Sequence, residues 1–239
     1  MSRTKRMWMI RGVLASLAAS LLLAPAAEAS ISTYDIAAGT TVGGLPVSAT
    51  VTFTTSTDDI KISLTNLQNN PTSVIQNLSD LAFTLDTGQT IGTLLSSSAL
   101  LRSVAGNGTF TDGGTASTGW ELETSGSGLR LHVLGTPIGP AHTLIGGPDG
   151  SNLYSNANGS IAGNTPHNPF ITGTATFDLQ VLGVTTLSLV NSATFSFGTT
   201  EGANVPGIHS RVPEPSTLLL LVSGLSIVGA MGWRRRLSA

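Results

Sequence analysis

The sequence predicts an all-β domain, an antiparallel two-sheet sandwich of jelly-roll type with one short helix. Apolar residues recur at every second position in several short stretches, the spacing of half-buried strands. The 28 glycines fall with Asn, Asp and Pro between those stretches, where chain reversals need them. No part of the body has the charged, helix-forming composition of a bundle. Short strands joined by Gly-rich turns must bury one face against another sheet.

In chain order, Val47, Ala49, Val51 and Phe53 alternate with Ser48, Thr50, Thr52 and Thr54. Asp58-Asp59 ends that strand, and Ile60, Ile62 and Leu64 continue it as a hairpin closed by Asn69-Asn70-Pro71. Val74, Ile75, Leu78 and Leu81 follow helical spacing behind Thr72 or Ser73 as N-cap, which predicts a short helix. Strand returns at 81–85. Residues 91–95 and 99–104 are two candidate strands, and Gly106-Asn107-Gly108 and Asp112-Gly113-Gly114 are turn signals. Trp120 with Leu122, then Leu129, Leu131 and Val133, resume the alternation. Residues 135–169 are a long loop rich in Gly, Asn and Pro, and loops of this length are functional or mobile.

The clearest strand comes next: Ile171, Gly173, Ala175, Phe177, Leu179 and Val181 share one face, and Thr172, Thr174 and Thr176 the other. Leu187 and Leu189 suggest a further short strand, and Ala193, Phe195 and Phe197 the last one. Residues 198–211 read as a linker. The interior should hold Val51, Phe53, Ile62, Phe83, Phe177 and Phe195.

Both ends of the chain read as targeting segments. Arg3, Lys5, Arg6 and Arg11 precede an apolar run over 13–23, and Ala27 and Ala29 are small residues two apart, the pattern of a secretory signal peptide over 1–29 cut before Ser30. At the other end, Val212-Pro213-Glu214-Pro215 precedes an uncharged run over 217–233 and then Arg234-Arg235-Arg236. Seventeen residues of helix are roughly 25 Å long, just enough to cross a bilayer core, and the arginines orient that span with the preceding chain outside. Pro213 and Pro215 favour an extended, accessible motif.

The motif, the apolar span and the arginine cluster, in that order over 212–239, resemble the PEP-CTERM sorting signal of Gram-negative bacteria that secrete exopolysaccharide. The resemblance implies recognition by exosortase, a membrane protease-transpeptidase that cuts near the motif and releases or re-attaches the exported domain.

Without these segments, residues 30–211 carry four Lys and Arg against eleven Asp and Glu, a net charge of −7. So few cations exclude nucleic acid as a partner and argue against holding anionic polymers by charge. The absence of cysteine excludes disulfides, thiolate metal sites and a cysteine nucleophile.

Candidate chemistry is sparse, and no catalytic residue, metal site or cofactor is expected. His132, His142, His167 and His209 lack paired metal-ligand spacing, and His132 is expected on a solvent-facing strand position. Asp58-Asp59, and Asp149 with Asn152, are possible oxygen ligands that turn geometry explains as well. Glu121 and Glu123 share a strand face instead of flanking a cleft, and no nucleophile elbow occurs. The expected role is therefore a non-enzymatic surface or matrix protein, anchored by its C-terminal span before processing. The alternatives are a carbohydrate-binding module using Trp120 and Tyr154, with Tyr34 in reserve, an ice-binding threonine array at Thr172, Thr174 and Thr176, and, last, a hydrolase. Fold class does not choose among them.

Overall fold

The computed structural model describes residues 29–135, 142–165, 167–200 and 202–210. The segment before Ala29 and the sorting segment from 211 lie outside the described residues. Among the described residues no helix is long and apolar enough to cross a membrane.

The domain is antiparallel β throughout. β1 (Ser30–Ile36) leads into a small hairpin, β2 (Thr41–Val42) and β3 (Leu45–Pro46). β4 (Ala49–Ser56) and β5 (Asp59–Asn66) form the expected hairpin, with Ser56 opposite Asp59 and the reversal carried by Asp58 at φ 57°, a conformation that Asp tolerates better than most residues.

The expected helix shrinks to one 3-10 turn, Val74–Gln76, capped reciprocally by Ser73 and Gln76. Leu78 N–H donates to Leu144 O and opens β6 (Leu78–Leu85), so pairing with a distant segment overrides the helical spacing. The two candidate strands after it are one, β7 (Thr93–Val104). Gly106 to Gly108 turn the chain into β8 (Phe110–Ala116), and Asp112-Gly113-Gly114 lie inside that strand instead of reversing it. β9 (Glu121–Ser125) and β10 (Gly128–His132) form a second hairpin.

The described part of the long connection that follows is packed down. It contains a four-residue helix, α1 (Ala157–Ser160), and Leu144 bridges both Leu78 and Ile171. β11 (Phe170–Gln180) pairs with β5 and β7, with a bulge between Thr172 and Thr176 where Gly173 takes φ 71°. Leu187 and Leu189 sit in an exposed turn region, not a strand. β12 (Val190–Phe197) precedes β13 (Asn204–Ser210), which occupies part of the expected linker and lies between β1 and β12.

Hydrogen bonding joins eleven strands in one sheet, in the order β8-β7-β11-β5-β4-β1-β13-β12-β6-β10-β9. The two arms expected as separate sheets are thus continuous through β1 and β13. The sheet curls into a half-barrel: Phe53 on β4 meets Phe83 on β6 with ring centroids 5.0 Å apart, and Trp120 meets Phe177 from the opposite arm at 5.4 Å. All six residues expected in the interior are buried in this core. A satellite cluster of Val104, Ile145, Tyr154, Ala157, Ile161 and Phe170 fastens the long connection.

Candidate functional site

The expected aromatic platform does not form. Trp120 is 3% exposed and Tyr154 2%, and they belong to different clusters. Trp120 N–H donates to His142 O at 2.8 Å, while Tyr154 O–H donates to Gly146 O at 2.8 Å. Tyr34 is also buried, its hydroxyl donating to Val190 O. Each amphipathic ring has turned its apolar body inward and satisfied its polar tip on backbone.

Tyr154 is instead part of a structural node. Arg102 forms a bidentate pair with Asp112 at 2.6 and 2.7 Å, donates to the Tyr154 hydroxyl at 3.1 Å, and lies 3.9 Å over the Phe110 ring. The hydrogen bonds from Arg102 hold the Asp112 carboxyl below the usual carboxylate range, and burial pushes the Tyr154 phenol up. This cation ties β7, β8 and the long connection together. The pairing of an arginine with a residue 52 positions away left no signal in the sequence.

The other candidates are engaged locally. His132 is 8% exposed, with Nδ1 3.0 Å from Leu134 O and Nε2 3.5 Å from Glu123, so the loop after β10 and the neighbouring strand cover it. His142 Nδ1 contacts Pro169 O, and burial lowers the pKa of that imidazole. Asp149 accepts from the backbone N–H groups of Ser151 and Leu153, a turn role. Asp58 accepts from Gly183 N–H, and Asp59 from Ser56. Glu123 accepts from Arg130, which also pairs with Asp80. Among the described residues no group of three His, Cys, Asp or Glu could hold a metal ion.

What the outer face of one arm does present is a set of hydroxyl rows. Ser210, Thr33, Thr52, Ser63, Thr176 and Ser98 are successive register partners across six adjacent strands. Strand spacing puts neighbours about 4.8 Å apart. Asp35, Thr50, Thr65 and Thr174 form the next row. Thr33 and Thr52 hydroxyls are 3.2 Å apart, and Thr65 and Thr174 hydroxyls 2.8 Å. Period-two alternation makes this face, since the opposite side chains of the same strands fill the core. Thr172 does not join it: beyond the Gly173 bulge its side chain is buried, whereas Thr174 and Thr176 are exposed, so the three do not form one exposed array.

β1 and β13 lie side by side and antiparallel, so the chain leaves Ser210 toward the end of the sheet where Ser30 enters. Ala29, expected to precede the signal cleavage, is exposed there. Ala27, Val212, Pro213, Glu214, Pro215, Arg234, Arg235 and Arg236 lie outside the described residues. Only Arg211 separates the last strand residue from Val212.

These features define a β domain that hands its final strand directly to a C-terminal signal. The family model of the PEP-CTERM protein-sorting motif matches residues 211–236. That match indicates an exported protein sorted through its C-terminus. No curated protein and no solved structure matches the chain.

Proposed function

We propose that the chain is a non-enzymatic surface or matrix protein, exported behind a signal peptide over 1–29, held by its C-terminal span, and processed at Val212-Pro213-Glu214-Pro215 by an exosortase-type transpeptidase. The observation that carries this is the matched motif, residues 211–236, beginning immediately after the last described residue of β13. Cleavage anywhere after Ser210 removes no residue of the described sheet, so the described core is left intact by processing. A structural role also fits the titratable groups: Arg102, Asp112, Arg130, Asp80 and Asp149 are spent on holding strands and turns.

The hydroxyl rows support a second reading, carbohydrate contact, with exopolysaccharide as the partner. Without an exposed aromatic platform, such contact would use Thr52, Ser63 and Thr176 on the sheet face, as hydrogen-bonding groups toward a hydroxyl-rich polymer. The ice-binding variant is weaker, because the bulge interrupts the array. A hydrolase remains the least supported reading.

Mass spectrometry of the protein recovered from the envelope tests the main reading. A product lacking Arg234 to Arg236 is expected, and a chain retained at full length would overturn it.

A further inference from the structure

Five of the exposed large apolar side chains, Ile31, Ile91, Leu182, Leu187 and Leu189, gather at the end of the sheet where both chain termini leave. Register fixes this placement. Ser30 lies opposite Thr55 beside the β4–β5 turn, Thr93 opposite Gln180, Gln180 opposite Asp59, and Val190 opposite Leu85. The loops at that end are joined to one another: Thr55 donates to both Ser30 O and Ser188 O, Asp58 N–H donates to Val184 O, and Asp86 and Leu189 exchange hydrogen bonds at 2.9 Å.

The leucines are therefore held outward on a pinned backbone. Leu187 is 79% exposed although its neighbour Ser188 is buried. Loops 86–92 and 181–189 contain no lysine or arginine, and Asp58 and Asp86 serve as backbone acceptors within them. Exposed large apolar side chains brought to one end of a sheet differ from the scattered single ones that need no explanation.

The length of chain beyond Ser210 says what covers it. Seven residues, 211–217, precede the apolar run from Leu218, and even fully extended they reach no more than about 25 Å. The level of Ser30 lies about 10 Å beyond that of Thr33 along the strand direction, so a tether of that reach keeps the apolar run close to this end of the sheet. The geometry points to a lipid surface: while the precursor is anchored, Ile31, Ile91, Leu182, Leu187 and Leu189 rest in the interface of the bilayer that holds its C-terminal span. The inference rests on the anchored precursor of the proposed function. Loops 86–92 and 181–189 carry no basic residue, and Lys61, in the register row of Ile31, stands directly opposite Asp178, so the contact is chiefly apolar and gains nothing from anionic lipid, with side chains reaching the headgroup and acyl boundary.

The chain has no cysteine, so single cysteines can carry an environment-sensitive fluorophore. The full chain bearing Leu187→Cys or Ile91→Cys is reconstituted in phosphatidylcholine vesicles beside Leu153→Cys, which marks the opposite end, and flotation reports anchoring separately. Lipid-borne nitroxide should quench the probes at 187 and 91 several-fold more than the probe at 153, and aqueous iodide should do the reverse. Adding anionic lipid should change neither. A chain that floats while its probe at 187 stays open to iodide overturns the lipid contact and leaves the anchor standing. A chain that does not float overturns both. Shielding that depends on the protein-to-lipid ratio, without nitroxide quenching, identifies a second copy as the occupant and also overturns the proposal.

Discussion

Thr33 in the first strand lies directly opposite Ser210, the last residue of the last strand. The entry and exit of the domain are thus adjacent at the centre of its sheet, not at frayed edges. A protein drawn through a membrane N-terminus first receives β13 last, and until then β1 and β12 each have an unpaired edge.

This gives the first prediction. A domain ending at residue 203 should lose cooperative unfolding, because β13 supplies Val205 to the core and hydrogen bonds to two neighbours. A domain ending at Ser210 should keep it. Circular dichroism in a urea series compares the two, and equal transitions would restore the linker reading.

The same placement bears on the N-terminus. Mature protein should begin at Ser30, since cleavage after Ala29 leaves all of β1 in place. N-terminal sequencing of envelope material reads this directly, and recovery of intact Met1 would contradict it.

The strands that were legible in the sequence are those with one face in the core and one in water. β4, β5 and the part of β11 beyond its bulge alternate because each of their residues is committed to a side. β8 was hidden because it is an edge strand with both faces largely exposed, so Asp112-Gly113-Gly114 are tolerated there. In β13 only Val205 is buried, and Pro206 and Gly207 read as a break although register places them opposite Thr194 and Ile36. Trp120 and Tyr154 could not be placed from sequence, because an aromatic with a polar tip serves a binding surface or a core equally well. The sorting motif was legible because its parts are local and ordered along the chain.

The node around Arg102 should matter for stability alone. Tyr154→Phe removes the hydroxyl that accepts from Arg102 and donates to Gly146 O, leaving a buried carbonyl without that donor. The cost should be about 1–3 kcal/mol, read as a lower urea midpoint with secretion and processing otherwise unchanged.

Two carboxyls should give opposite pH responses. Hydrogen bonds from Arg102 lower the folded-state pKa of Asp112, so its contribution is complete above the ordinary carboxylate range and is lost as pH falls through the lowered value. Asp178 is raised, first by its hydrogen bond to Asp59, so its favourable contribution exists in acid and is lost as pH rises through the raised value. Asp178→Asn relieves the diagonal Asp59 but gives up the charge directly opposite Lys61, so it should stabilise the domain at neutral pH by only about 0.2 kcal/mol, the low end for a cross-strand charge pair. The gain should vanish in acid, which unfolding midpoints at several pH values would show.

The central claim is that Val212-Pro213-Glu214-Pro215 is read by a processing enzyme and is not merely the stem of an anchor. Replacing Pro213, Glu214 and Pro215 with alanine leaves the apolar run, the arginines and the described fold untouched. In the native host, this variant should still insert in the membrane, yet accumulate there at precursor size and fail to reach the surface. Normal trimming and normal surface delivery of the triple-alanine chain would contradict the account.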